Sequence, residues 1–277
     1  HIGRFEVIAV TDADMPDVAM TEAFPGIPTE ELASAKAAFP GVYTDDDRWR
    51  LRIRAWVIRH PDGCTLLDTG IGGATSPTRA WAPHPGALSS VLDELRIDLS
   101  SIDTIAISHV HDDHIGGLLA DDGRPLCPNA RHVIQRADVE WQRRNAAQDD
   151  EAAAVWGLLA AIEDAGLMDA IEGDHHLATG LDLRHLPGHT PGHQVLLVAD
   201  EDQRMILSAD TWNHPVQIGN PDWASATDDD HVAAATSRRT LLAELDAAPG
   251  TIVAPTHLAE SFGEVRPTAD TWTWTAV

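Results

Sequence analysis

Residues 109–114 read HVHDDH, three histidines and two aspartates in six positions, with Gly116 and Gly117 close behind. The run follows TIAIS (104–108), which has the pattern of a short buried strand. In an extended chain His109 and His111 point the same way, so their two imidazoles can grip one cation. Asp113 and His114 come round on the following turn and can face a second. Nitrogen with carboxylate donors suits zinc, and less selectively iron, manganese or cobalt. The glycines let the next segment pack close to the site.

Four donors do not saturate two cations, so others must come from elsewhere. Later strand ends offer them: LPGHTPGH (186–193) sets His189 in a Gly/Pro turn, ILSAD (206–210) ends in Asp210, and IVAPTH (252–257) ends in His257. Strand ends gathered at one rim of a sheet are where a buried site is built. No G-x-S-x-G motif is present, so no serine nucleophile is indicated. GIGG (70–73) lacks the Lys-Ser/Thr of a phosphate-cradling loop and reads as a turn.

The elements behind these residues are legible in outline. LRIRAWVIR (51–59) alternates Leu51, Ile53, Ala55 and Val57 with Arg50, Arg52 and Arg54, the period of a half-buried strand. HPDG and CTLLDTG continue it as a hairpin. Residues 86–96 carry Leu88, Val91, Leu92 and Leu95 at helical spacing, and RHVIQ (131–135) reads as a strand. Residues 136–170 read as two helices. LDLRHLP, QVLLVAD and RMILSAD read as three strands, 228–248 as a helix with an acidic start favoured by the macrodipole, and TIVAPTH as a last strand. This order predicts sheets covered by helices. Residues 12–48, with four prolines and an acidic DDD, read as a long loop with one short helix, TEELASAKAAF.

HVHDDH, GHTPGH, SAD (208–210) and PTH (255–257), with the early LLDTGIG (66–72), resemble the metallo-β-lactamase superfamily over residues 50–260. The resemblance implies an αββα sandwich, two mixed sheets with outer helices, as a single domain over 1–277 whose residues 1–48 form a strand and loop partly covering the site. It implies two divalent cations, zinc by preference. His109, His111 and His189 would hold one, Asp113, His114 and His257 the other, and Asp210 would bridge them. Asp68 and His193 would orient the ligands. Zinc β-lactamases proper usually place a cysteine where this chain has Asp210. DTWNHPVQIGNPDW (210–223) is instead similar to the dinuclear lactonase and organophosphate-hydrolase branch. Acyl-homoserine lactonases of that branch carry a tyrosine three residues after the bridging aspartate. Here that position is Asn213, and Asn213 or His214 would have to supply its hydrogen bond.

The implied reaction is hydrolysis of a lactone or related ester by a hydroxide generated between two metals, with Asp113 carrying a proton to the leaving group. Phosphotriester or thioester hydrolysis, an iron-dependent redox enzyme and a non-catalytic metal scaffold are the alternatives. The tail offers only Arg266 for a thiol carrier, which weighs against a thioester. Pocket walls are expected from 12–48, 74–85 and 212–225, with Trp49, Trp81, Trp212 and Trp223 either lining the pocket or packed in the core or at a homodimer interface.

Composition narrows the partners. The net charge of −25 argues against nucleic acid, which needs a positive footprint. Lys36 is the only lysine beside eighteen arginines, a skew without chemical meaning. No apolar run approaches a membrane span, and HIGRFEVIAV lacks the pattern of a secretion signal. Cys64 and Cys127 form no C-x-x-C pair, which fits a reducing, cytoplasmic setting.

Overall fold

Two sheets pack face to face. The first holds six strands in chain order: β1 (Glu6–Val18), β2 (Trp49–His60), β3 (Gly63–Leu67), β4 (Thr104–Ala106), β5 (Arg131–Gln135) and β6 (Met168–Ile171). β1 to β3 pair antiparallel, and β3 to β6 run parallel. The second holds β7 (His175–Ala178), β8 (Leu181–His185), β9 (Gln194–Asp200), β10 (Gln203–Ala209), β11 (Ile252–Pro255), β12 (Gly263–Pro267) and β13 (Trp272–Ala276). Its order is β13-β12-β11-β10-β9-β8-β7, and only β10 and β11 pair parallel. The computed structural model describes residues 1–45 and 48–277; Asp46 and Asp47, in the acidic run noted above, lie outside the described residues.

The helices are α1 (Met20–Ala23), α2 (Thr29–Ala38), α3 (Leu88–Glu94), α4 (Asp112–Ile115), α5 (Arg136–Asn145), α6 (Asp150–Asp164), α7 (Val216–Gly219) and α8 (His231–Ala247). Strand alternation distributes the core among them. On β2, Trp56 and Ile58 pack with Leu183, Leu196, Val198 and Leu207 of the second sheet. Ala55 and Val57 pack the other way, with Leu88 and Leu92 of α3 and Leu158 and Leu159 of α6. Leu241, Leu242 and Leu245 of α8 cover the far face of the second sheet. Each such leucine, isoleucine or valine contributes roughly 1.5–3 kcal/mol on burial. The result is the two-sheet α/β sandwich that the motifs imply. No helix among the described residues is long and apolar enough to cross a membrane.

The chain departs from the sequence reading in five places. The segment expected to be loop from residue 12 continues β1 as far as Val18, and the register shift between Thr11 and Ala13 leaves Asp12 out of the pairing. A bulge of this kind re-aims a side chain. Buried Asp12 accepts from Ile71 N and Leu88 N, both at 2.7 Å, and ties down the loop after β3. The stretch read as two helices over 136–170 closes with a strand: α6 turns at Gly166, and β6 pairs with β5. β7 is too short to show a period. The tail after residue 260 folds as the β12–β13 hairpin and completes the second sheet. Arg54, expected on a solvated strand face, is almost fully buried because both faces of β2 are covered.

Candidate metal centre

The ends of β4, β8, β10 and β11 meet at one rim, and the chain leaves each of them into the site. His109 follows β4, His189 follows β8, Asp210 follows β10, and His257 follows β11. His111, Asp113 and His114 come round on the turn into α4. Two backbone positions here take the left-handed region without being glycine, Asp68 (φ 63) and Ala209 (φ 43). Strain of that kind persists only where surrounding structure fixes it. Gly117 is needed for close approach: a Cβ there would lie 2.2 Å from Thr69 O.

Seven side chains converge in overlapping groups: His109, His111 and His189; His109, His114 and Asp210; Asp113, His114 and His257. His111 Nδ1 lies 3.0 Å from both His109 Nε2 and His189 Nε2. Asp113 Oδ2 lies 3.6 Å from His114 Nε2 and 3.5 Å from His257 Nε2. Asp210 sits between the triads, with Oδ2 3.3 Å from His189 Nε2 and 3.0 Å from His257 Nε2, and Oδ1 3.1 Å from His114 Nε2.

The opposite edges of the rings are pinned. His114 Nδ1 donates to Asp68 Oδ2 at 2.8 Å, and His109 Nδ1 donates to Ser108 Oγ at 3.1 Å. Ser108 in turn donates to Asp68, through Oγ and N, both at 2.7 Å. His189 Nδ1 donates to Asp228 Oδ1 at 2.9 Å, and His257 Nδ1 to Arg52 O at 2.6 Å. A proton held on Nδ1 leaves a lone pair on Nε2, aimed at the centre. His193 works one step away: Nδ1 donates to Leu186 O at 3.0 Å, and Nε2 accepts the backbone N–H of Asp210 at 3.2 Å.

The residues fit a pair of cations. His114 Nε2 and Asp210 Oδ1 are buried and, despite their 3.1 Å separation, neither makes a hydrogen bond. Buried polar atoms in a folded protein ordinarily have partners. The electrostatics agree. Burial works against charge on His114, yet Asp210, Asp113 and Asp68 outweigh it and hold its pKa well above the usual value. His189 is likewise pushed up to about 9, burial being overcome by Asp210 and Asp228. His109 and His111 are pushed down, by burial and then by neighbouring histidines. The carboxylates thus make this buried centre a place that favours positive charge.

A cavity of about 380 Å³ opens over it, lined by Val18, Ala23, Trp49 and Leu51 on one side, with Asp113, Asn213 and His257 in its floor. Of the four candidate tryptophans, Trp49 lines it. Trp212 is buried against α8, and Trp223 packs on Phe24. Trp81, exposed, donates to Asp112 Oδ2 at 2.6 Å, and the 74–85 segment supplies none of the lining.

Asn213 and His214 part company. Asn213 lines the cavity, and its Nδ2 donates to Asp210 Oδ2 at 2.8 Å. His214 is turned away into a cage of Phe24, Phe39, Tyr43 and Trp49, with ring centroids 5.3–6.0 Å away. Its Nδ1 accepts from Val216 N at 3.1 Å, so Nε2 carries the proton and donates to Tyr43 Oη, also at 3.1 Å. It fastens the N-terminal segment over the site. The backbone N–H groups of Asn213 and His214 both donate to Gln217 Oε1, whose Nε2 donates to Trp223 O at 2.9 Å.

Three supporting residues escape a reading of the sequence. Asp228 lies in the acidic run before α8, where Asp230 caps the helix while Asp228 turns back to His189. Arg238, eight residues along α8 from the cap, donates to Asp228 Oδ2 at 2.5 Å. Arg54 gathers the carbonyls around His257. Only the three consecutive aspartates gave any signal.

A family model described as the metallo-beta-lactamase superfamily matches residues 48–257. An N-acyl homoserine lactonase of Bacillus cereus is 36% identical over 194 residues, covering 65% of this chain and 72% of the relative. The N-acyl homoserine lactonase AttM of Rhizobium radiobacter is 28% identical over 204 residues, covering 65% of this chain and 74% of the relative. Among solved structures, AidC, a dizinc quorum-quenching lactonase in complex with a product, matches with a TM-score of 0.87 at 21% identity, over 100% of this chain and 96% of that one. With the match spanning every strand end that reaches the site, the chain belongs to the metallo-beta-lactamase superfamily.

Proposed function

We propose that this protein is a metal-dependent hydrolase that opens lactones or cleaves closely related carboxylic esters. The observation that carries the reading is Asp210 between two triads of donors, on the floor of a cavity with an apolar wall. His109, His111 and His189 would hold one cation and Asp113, His114 and His257 the other, with Asp210 shared. Imidazole and carboxylate donors favour zinc. When bound, such a pair acidifies water enough to supply a nucleophile near neutral pH and polarises a carbonyl.

The chain's own residues set the conditions for that chemistry. Asp68, Ser108, Asp228 and the Arg52 carbonyl hold the imidazoles so that their lone pairs converge. Asp113 reaches the cavity and is the group to carry a proton from the attacking water to the leaving oxygen. Val18, Ala23, Trp49 and Leu51 give an apolar wall suited to an acyl chain. The charged groups of the lining are Glu22, Asp112, Asp113 and Asp210, with no lysine or arginine among them. That balance disfavours polyanionic thiol carriers and favours a neutral substrate, such as the lactones named for the relatives. The two cysteines, both buried and free, suit a reducing compartment.

The test is acid release from N-acyl homoserine lactones, followed in a pH-stat, for zinc-loaded and chelated protein. Turnover that appears with zinc and disappears with chelation is expected. Full metal loading without opening of any lactone or simple ester overturns the reading.

A further inference from the structure

Ser225, Ala226 and Thr227 belong to one turn ahead of α8, and all three line the cavity over the metal centre. The turn is held on both sides. Ala226 N donates to Ala23 O at 2.8 Å, which ties it to the apolar wall. Ser225 N donates to Asp228 Oδ2 at 2.9 Å, and Asp228 N donates back to Ser225 O at 3.1 Å. Asp228 is itself fixed by His189 and Arg238.

Within the turn, the Ser225 and Thr227 hydroxyls lie 2.8 Å apart, and one must donate to the other. Ser225 is buried, whereas Thr227 is exposed. Were Thr227 the donor, the buried Ser225 hydroxyl would keep a proton with no acceptor among the described residues. Buried donors are ordinarily paired, so Ser225 donates. Its oxygen is occupied in turn by Thr227 N at 3.4 Å. Thr227 Oγ1 therefore accepts from Ser225 and retains its own proton, on an exposed residue of the cavity lining.

We infer that the Thr227 hydroxyl donates a hydrogen bond to an acceptor oxygen of the substrate, one set apart from the carbonyl that reacts. The inference rests on the lactone reading above and narrows it to lactones bearing a second acceptor, such as the carbonyl of an acylamino group. The reacting carbonyl belongs at the cations, and Thr227 is not among the side chains that converge there. The turn's bond to Ala23 sets this hydroxyl beside the surface suited to an acyl chain. Asn213 Nδ2 does not compete for the second oxygen, because it is committed to Asp210. A donor on a turn already fixed by its neighbours needs little ordering when the substrate binds, so its hydrogen bond goes into discrimination. Thr227 is thus a specificity residue.

The experiment compares an N-acyl homoserine lactone with its thioamide analogue, which keeps the N–H and the chain but replaces the acceptor oxygen with weakly accepting sulfur. The ratio of kcat/KM for the two is measured in wild type, Thr227→Val and Thr227→Ser, each with its zinc content determined. Wild type should prefer the oxygen substrate by up to about tenfold. Thr227→Val should lose that preference, and Thr227→Ser, which restores the hydroxyl, should keep it. A disturbed turn would instead act through Asp228 on His189, lowering zinc content and both rates together with the ratio unchanged, and that result overturns the inference. So does a wild type without preference, or a preference that survives in Thr227→Val or disappears in Thr227→Ser; in each case the lactone reading stands. If zinc-loaded wild type opens neither lactone, that reading fails and carries the inference with it.

Discussion

The guanidinium of Arg54 donates to the carbonyls on both sides of His257, to Thr256 O at 2.9 Å and Leu258 O at 2.6 Å. It also reaches Pro255 O at 3.3 Å and Ala259 O at 2.7 Å. Burial, with Arg52 nearby, lowers its pKa to about 10, so it stays charged at neutral pH. A buried cation satisfied by four carbonyls fixes the loop that presents a donor. Arg54→Met should destabilise the fold by at least about 3 kcal/mol, because each buried carbonyl left unpaired costs roughly 1–3 kcal/mol. Urea unfolding checks the loss. Zinc titration should show the weaker of two binding steps affected first; an unchanged unfolding midpoint would remove Arg54 from this role.

Asp228 orients the His189 ring, and against the effect of burial the His189 hydrogen bond and then Arg238 hold the Asp228 pKa below the ordinary carboxylate value. Asp228→Asn keeps the shape but replaces one carboxylate oxygen with a donor. Zinc affinity should fall roughly 10–100-fold, the usual effect of losing a partner that orients a ligand. Competition with a chromophoric chelator measures it, and an unaltered affinity would mean that His189 needs no such support.

His214 carries a pH signature. Burial pushes its pKa down to about 3, whereas the unfolded chain has the ordinary value near 6.5. Between these values the unfolded state binds the extra proton, so the contribution is full above about 6.5 and is lost as pH falls toward 3. His214→Phe should therefore flatten the pH dependence of stability in that window by up to about 1.4 kcal/mol per pH unit. It should also free the N-terminal segment, seen as faster proteolysis within residues 20–48. A slope identical to wild type would contradict the buried neutral state.

Asp210 lies within 3.3 Å of His189 in one triad and of His114 and His257 in the other. Asp210→Ala should lower bound zinc and reduce lactone opening by more than the roughly 10–100-fold typical of residues that only orient a ligand. Metal analysis and initial rates on the same sample check both. Retained hydrolysis at wild-type level would mean that the carboxylate is not shared.

What could be read from the sequence was whatever lies close along the chain. HVHDDH compresses four of the seven donors into six residues, and His189, Asp210 and His257 each end an apolar run. β2, β5, β8 to β10 and α8 show their periods directly. The supports are different in kind. Arg54 reaches a loop some two hundred residues away, and Asp228 meets His189 across a separation of 39. Nothing local distinguishes such an arginine from Arg50 or Arg52. β6 and β7 are four residues each, too short for a period to appear, and β1 hides its own behind a bulge at Asp12. His214 beside Asn213 shows the same limit: adjacent in sequence, one faces the cavity and the other the aromatic cage.

The central claim is that the rim of strand ends holds two cations sharing Asp210, and anomalous diffraction at the zinc edge from zinc-loaded crystals tests it most directly. Two peaks about 3.5–4 Å apart are expected, one among His109, His111 and His189, the other among Asp113, His114 and His257. A single peak, or zinc bound away from these residues, would contradict it.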